Sequence, residues 1–253
     1  MLRRALPAAV LIAAILLFWQ FFGEITGEPK YVVPSLSDVL TAVATRSADK
    51  LLPAAFVTAQ EIFLGFVVGS LAGLSIGTAI FLSTTLRRAL LPIVIATQAV
   101  PVLAIAPILV IWLGFGLAPK VIVAALVVFF PVVINTIAGL NSADRDMVSL
   151  MRSLGAGPWQ IFWKLHFPAA LPIIFAGLKN AAAISAIGAI VGEWVGASTG
   201  LGPVMIEANA SFKTAITFAA ILYLAAIAIT LFALVALTER LALPWLFLDK
   251  ARK

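Results

Sequence analysis

Long apolar runs without a single charge set the terms for this 253-residue chain. They occupy 5–23, 62–86, 89–119, 121–143 and 214–238, and a sixth at 167–192 is interrupted only by Lys179. About 20 mostly apolar residues in a helix cross a hydrocarbon core of about 30 Å. The pattern therefore predicts six transmembrane helices. The 89–119 run is too long for one crossing, and Gly114, Gly116 and Pro119 mark its end before the next begins. Composition agrees, with 63% hydrophobic and 11% charged residues, against about 45–50% and about 25% in soluble domains. Polar groups on that scale cannot cover a globule in water, so the reading is one bundle solvated by lipid, a single domain over 1–253. The net charge of +6 does not point to nucleic acid, because the bases are spread thinly between the apolar runs. Cysteine is absent. That excludes disulfides, thiolate metal sites and a cysteine nucleophile, and leaves the redox compartment undetermined.

Arg3 and Arg4 ahead of the first run resemble the start of a secretory signal. The run ends in Trp19, Gln20, Phe21 and Phe22 with no small-residue cleavage pattern behind it, so an uncleaved first helix is expected. Orientation follows from lysine and arginine in the connections. With the N-terminus inside, the inner segments hold Arg3, Arg4, Arg87, Arg88, Arg145, Arg152, Lys164, Arg240, Lys250, Arg252 and Lys253. The outer segments hold Lys30, Arg46, Lys50, Lys120 and Lys213. Eleven against five places both termini in the cytoplasm. The outer 24–53 segment is close to neutral, and Pro34-Ser35-Leu36 predicts a short helix lying at the outer interface.

Chemistry of the chain's own finds little support. Gly114 to Lys120 comes nearest to a phosphate-binding loop, but lacks the second glycine before the lysine and the Ser/Thr after it. No HExxH pair or Gly-x-Ser-x-Gly elbow occurs. The one histidine, His166, falls in a cytoplasmic connection and reads as a solvated or interfacial residue.

The 141–170 connection is the most informative stretch. Asn141 or Ser142 is placed to cap a helix with Asp144 and Asp146 in its first turn and Arg152 near its end, an order that suits the helix dipole. Met147, Leu150, Met151 and Leu154 recur at i, i+3, i+4 and i+7 and form one apolar stripe. Gly155 stops that helix, and Gly157-Pro158 starts a second, with proline at its first position. Trp159, Phe162 and Trp163 are expected together on one side of it, and Pro168 and Pro172 lead into the fifth span. Such a pair of short helices suits docking in a groove of a cytoplasmic partner. It suits equally well a rest on the bilayer surface, the level tryptophan favours.

Here the chain resembles the permease subunits of ABC importers, whose cytoplasmic loop carries the consensus Glu-Ala-Ala-x3-Gly-x9-Ile-x-Leu-Pro. Gly155 falls at the glycine, Leu165 at the isoleucine, Phe167 at the leucine and Pro168 at the proline. Ser149, Leu150 and Met151 replace Glu-Ala-Ala, which touches only the contacts of the first short helix. Further stretches resemble the nitrate/sulfonate/taurine branch, which includes transporters of vitamin precursors. They are Pro101-Val102-Leu103-Ala104-Ile105-Ala106-Pro107, Trp112-Leu113-Gly114-Phe115-Gly116, Phe129-Phe130-Pro131 with Asn135-Thr136, Gly177-Leu178-Lys179, Gly192-Glu193-Trp194 and Gly200-Leu201-Gly202. The likeness covers about 54–240.

Polar groups inside the spans are costly and are candidates for function. Lys179 lies near the cytoplasmic edge, where snorkelling or a helix C-terminus suits it. Glu61 follows Gln60 near the outer edge and fits an interfacial position. Glu193 is the stronger functional candidate, at the outer mouth of a path or capping a neighbouring helix. Pro101 and Pro107 remove backbone donors and bend span three. Gln98, Asn135, Asn180 and Ser185 each read singly as helix–helix glue, and together as evidence that spans three to five surround a path. Gly65, Gly69, Gly73 and Gly77 predict a tight helix-packing face.

The resemblance implies an all-α membrane protein, six helices in the type I importer permease fold, in a bacterial inner (plasma) membrane. It implies two permease chains forming one path, a homodimer being expected and a heterodimer left open, a cytoplasmic ATPase dimer holding ATP and Mg, and an extracytoplasmic substrate-binding protein. This chain would bind no cofactor. Met147, Leu150, Met151, Leu154, Gly155, Ala156, Gly157, Trp159, Phe162 and Pro168 would couple to the ATPase, and Gln98, Pro101, Asn135, Asn180, Ser185 and Glu193 would line the path. The solute would be a small anion such as nitrate or a sulfonate, or a vitamin precursor. The rival is an ion-gradient-driven secondary transporter or channel, a class rich in inverted repeats and helices broken at the midplane. No internal repeat is evident here.

Overall fold

The computed structural model describes residues 2–248. Of the bases used for orientation, Lys250, Arg252 and Lys253 lie outside the described residues, as do the side chains of Arg3 and Arg4. All regular structure among the described residues is helical. The order is α1 (Leu2–Thr26), α2 (Leu36–Arg46), α3 (Leu52–Leu82), α4 (Thr84–Thr97), α5 (Val102–Leu113) and α6 (Leu117–Leu140), followed by α7 (Arg145–Ser153), α8 (Pro158–Ile161), α9 (Phe167–Gly196), α10 (Leu201–Ala210), α11 (Thr214–Ala242) and α12 (Pro244–Leu248). Wide π-helical turns at Ser47–Leu51 and Phe162–His166 join α2 to α3 and α8 to α9. The helices gather into two compact units, Met1–Thr58 with Ala197–Ala226, and Ala59–Gly196 with Ile227–Lys253.

In the first unit, residues 9–18 of α1 are exposed on every side although nearly all are apolar. A helix apolar all round belongs in lipid. Its C-terminal half is tied to the start of α2, where Trp19 Nε1 donates to the Pro34 carbonyl at 3.1 Å and Ser37 N donates to Gln20 at 2.9 Å. The short helix predicted from Pro34-Ser35-Leu36 is α2. Ser35 caps it, accepting from Asp38 N at 3.2 Å and donating to the Asp38 carboxylate at 2.7 Å. Those bonds, ahead of the Lys30 ammonium, hold the Asp38 carboxyl below the usual carboxylate range. Lys50 bonds Glu207 of α10 at 2.6 Å and holds that carboxyl low in the same way. The Thr58 hydroxyl accepts from Leu201 N at 2.9 Å, and Ser47 and Tyr223 pair through their hydroxyls.

In the second unit, α6 is the central helix. Lipid tails are as apolar as leucine, so close packing holds helices together there, and small residues permit it. A Cβ on Gly65 would fall 2.4 Å from Ala124 Cβ, and one on Gly69 would fall 2.5 Å from the Ala125 carbonyl. Gly73 meets Val132 and Gly77 meets Thr136. Numbers rise together along both helices, so α3 and α6 are parallel. On the other side Gly139 meets Ala170, Gly177 meets Asn135, Gly188 meets Ala124 and Gly192 meets Lys120, so α9 is antiparallel to α6.

Parallel α3 and α6 settle the fate of the 89–119 run, which is not one helix. It divides into α4 and α5, bent by 100° at the break between Thr97 and Val102. At about 1.5 Å per residue these span about 21 and 18 Å, each short of a crossing of about 30 Å. The chain must still return from the end of α3 to the start of α6 across the thickness, so the pair forms one broken span. Pro101 has no N–H to continue α4 and stands instead as the N-cap of α5. The break is wound in tighter i to i+3 turns, Ala99 N to Ala96 O and Val100 N to Thr97 O at 3.1 and 3.2 Å. Crossings are thus α1, α3, α4–α5, α6, α9 and α11.

Two other placements change. Helix α3 starts ten residues before its uncharged run, so Glu61 lies inside it, fully buried rather than interfacial. Helix α6 starts before Lys120, which is buried within it and is not a base of an outer loop.

Candidate functional site

The connection between α6 and α9 is built on the ends of three helices and bonded to them. Asp144, not Asn141 or Ser142, caps α7, its carboxylate accepting from Asp146 N at 2.8 Å. Asn141 instead ends α6 and accepts from Arg87 Nη2, at the start of α4, at 3.0 Å. The predicted stripe is present and turned outward, with Met147 46%, Leu150 51% and Leu154 77% exposed, and Met151 half-buried. Gly155 follows at φ +81°, the left-handed conformation that side chains resist, and its N–H closes the turn on the Arg152 carbonyl. Gly157, whose N–H donates to the Gln160 side chain at 3.1 Å, opens α8 with Pro158 at its first position.

The three aromatic residues after Pro158 do not share a side. Trp159 and Trp163, four apart, stay exposed, whereas Phe162 is 5% exposed and packs with Leu140, Ala170 and Ile174. The wide turn at Phe162–His166 begins at this inward-facing residue. Phe162 therefore leaves the predicted docking set and becomes the anchor beneath it, edge-on to Trp159 at 5.8 Å and to Trp163 at 5.1 Å. Ala156, Gly157 and Pro168 are half-buried along the same connection.

His166 is anchored to the helix ends. It is half-buried, Nδ1 donates to the Leu140 carbonyl at 2.9 Å, and the ring meets Phe81 of α3 edge-on at 4.9 Å. It satisfies a carbonyl that the end of α6 leaves free. With the Arg87–Asn141 bond it ties the connection to α3, α4 and α6. An open cleft of about 390 Å³ lies beneath the loop, walled by Phe81, Arg152, Pro158, Phe162 and His166. Sequence reasoning missed these ties because each joins residues far apart in the chain; the free acceptors at the end of α6 were the available signal.

The predicted path residues are not brought into one site. Gln98 and Pro101 are exposed at the α4–α5 break, and Asn180 is exposed midway along α9. Asn135 donates to the Pro131 carbonyl at 2.8 Å and fills the space left by Gly177. Ser185 is fully buried and donates to Ala182 O at 2.8 Å, a bond within its own helix. Glu193 is buried beside Glu61 and Lys120, whose side chains bond at 2.8 Å. Lys179 reaches across to Glu239 of α11 at 2.6 Å. Among the described residues no group of three His, Asp or Glu side chains is arranged to hold a metal ion.

Residues 65–242 match the family described as the binding-protein-dependent transport system inner membrane component. The chain is 35% identical over 95% of its length to the riboflavin transport system permease protein RibX of Chloroflexus aurantiacus, covering 90% of that protein. It is 32% identical to the formylaminopyrimidine transport permease protein ThiX of Halalkalibacterium halodurans, over 96% of both chains. A solved structure with similar fold is an inward-facing conformation of the MetNI methionine ABC transporter, at a TM-score of 0.61 and 19% identity, covering 74% of this chain and 94% of that one.

Proposed function

Because the chain belongs to the family of binding-protein-dependent transport inner membrane components, as an ABC importer permease of type I fold for small solutes, we propose that its 141–170 loop is where a cytoplasmic ATPase delivers the work of ATP hydrolysis. The observation that carries this is the outward row of Met147, Leu150, Leu154, Trp159 and Trp163 on a backbone tied to α3, α4 and α6. Large apolar side chains on a fixed support suit a groove on a partner, with tryptophan as anchor. A loop this firmly tied cannot move alone, so force on it reaches the helices. ATP and Mg belong to the ATPase pair, and this chain performs no chemistry.

The solute crosses between two copies of this chain in the bacterial inner membrane, delivered by an extracytoplasmic binding protein, with both termini in the cytoplasm. Gln98 and Pro101 at the broken span and Asn180 on α9 are exposed at membrane depth, where lipid offers no hydrogen bond. Those faces are assigned to the path and its second copy. Asn135, Ser185 and Glu193, turned into packing, shape the path from behind. The relatives named for riboflavin and formylaminopyrimidine transport favour a small heteroaromatic vitamin or precursor over an inorganic anion.

The test is co-purification with the ATPase. Trp159→Ala with Trp163→Ala is expected to lose the ATPase while melting as the wild type does. Phe162→Ala, which opens a cavity, is expected instead to lower stability by about 3–5 kcal/mol. Retention of the ATPase by the double tryptophan variant overturns the docking surface.

A further inference from the structure

At the end of α6 remote from the 141–170 loop, three ionisable residues from three helices meet in the interior of the Ala59–Gly196 unit. Glu61 of α3 is 0% exposed, Glu193 of α9 is 1% and Lys120 of α6 is 7%. The Lys120 ammonium donates to Glu61 Oε1 at 2.8 Å, and the Glu193 carboxyl interacts with Glu61. The second oxygen of Glu61, Oε2, is enclosed without a hydrogen bond. A Cβ on Gly192 would stand 3.0 Å from Lys120 Cα, so the α9 backbone passes directly over the cluster.

A buried ion pair is weak evidence for stability, because desolvation offsets most of the attraction; its best-attested use is to fix register. Register is what the rest of this packing leaves soft. Between Gly65 and Gly77 the α3–α6 contact is a row of glycines against small and β-branched side chains, and α9 meets α6 through Gly139, Gly177, Gly188 and Gly192. Smooth surfaces hold helices close but offer few ridges against sliding along the axis. At the loop end, His166 and Arg87 tie α6 to its neighbours. Twenty residues away, about 30 Å along α6, the Lys120–Glu61 pair does so.

We propose that Glu61, Lys120 and Glu193 form a clasp that makes α3, α6 and α9 move as one body, with Lys120 the positioning residue that carries displacement of the 141–170 loop to the opposite end of the bundle. The inference rests on the coupling role proposed for that loop. Charge balance ranks the three members. Without Lys120, two carboxyl groups face each other in the interior with no cation beside them. Without Glu61, Lys120 turns to Glu193. Without the charge of Glu193, the Glu61–Lys120 pair stands balanced.

Absence of native cysteine permits the test. Spin labels at Phe63→Cys on α3 and Ile187→Cys on α9, both exposed positions, report the separation of these helices by pulsed electron resonance. The full complex with its ATPase, assembled with labelled chain diluted into excess unlabelled chain so that each complex carries one labelled copy, is measured without nucleotide and trapped with ATP and vanadate. The otherwise unaltered chain is expected to show one narrow separation that is the same in both states. Lys120→Met is expected to show a broader one that shifts when nucleotide is trapped, and exchanging the charges (Glu61→Lys with Lys120→Glu) to narrow it again. Should Lys120→Met not fold, Glu61→Gln carries the comparison, with a smaller shift. An unchanged narrow separation in the lysine variant overturns the clasp, and broadening equal in both states overturns the positioning role. If the labelled chain binds no ATPase, the coupling reading fails instead, and the nucleotide-free comparison still decides the clasp.

Discussion

A missing methyl group matters at the residue scale. Gly69 lies where a Cβ would meet the Ala125 carbonyl at 2.5 Å and Val128 Cβ at 2.8 Å. Neither backbone nor a β-branched side chain yields easily in a helix, so Gly69→Val must force α3 from α6. The expected cost is about 1–3 kcal/mol, the usual range for overpacking. A thermal melt in detergent checks it, with Gly157→Ala, whose Cβ would meet nothing within 4 Å, expected to melt close to wild type. The four-residue glycine repeat was legible because it is local. Glu61 and Lys120 were not legible as a pair, since 59 residues separate them and each lies beside a boundary that hydropathy alone draws too late. Charge reads as interface until the helix that holds it is known to begin earlier.

At the scale of elements, turns and caps do the specifying. Gly155→Pro demands a backbone angle far from φ +81° and removes the N–H that bonds the Arg152 carbonyl. The variant should insert into the membrane normally yet lose ATP-driven uptake, because α7 and α8 lose their fixed relation; wild-type uptake at matched membrane levels would contradict this. Helix α2 offers a second case. Ser35→Ala is expected to cost about 1 kcal/mol as a lost N-cap, seen as faster hydrogen exchange of α2 amides. The Asp38 carboxyl is held low first by the Ser35 hydroxyl and then by Lys30. Its contribution is complete above the ordinary carboxylate range and is lost as pH falls through the lowered value. Protection factors of the α2 amides, which allow for slower intrinsic exchange in acid, should accordingly fall as pH falls, and Ser35→Ala should flatten that dependence. The caps and short helices of the 141–170 loop followed from local chemistry, except that Asp144 took the cap from Asn141 and Ser142. Phe162 could not be placed, because what buries it is tertiary packing against Leu140, Ala170 and Ile174, which local spacing does not show.

Across the whole molecule, apolar run length predicts six crossings, and the helices supply six when the bent α4–α5 pair counts as one, so the third differs from the rest. Hydropathy shows one long run from 89 to 119; only the parallel course of α3 and α6, read from glycine contacts, requires the bent α4–α5 pair to be a crossing. Such packing relations are invisible to composition, as are the bonds that link the loop to three helix ends. Family membership and fold agree on an importer permease. The source of energy is the central claim, and uptake into proteoliposomes tests it most directly. The vesicles hold this chain with its cytoplasmic ATPase, and the binding protein loaded with labelled solute is added outside. Uptake is predicted to need ATP within the ATPase compartment, to survive collapse of ion gradients, and to vanish with Trp159→Ala and Trp163→Ala. Uptake by this chain without the ATPase, driven by an ion gradient and indifferent to those tryptophans, would contradict the account.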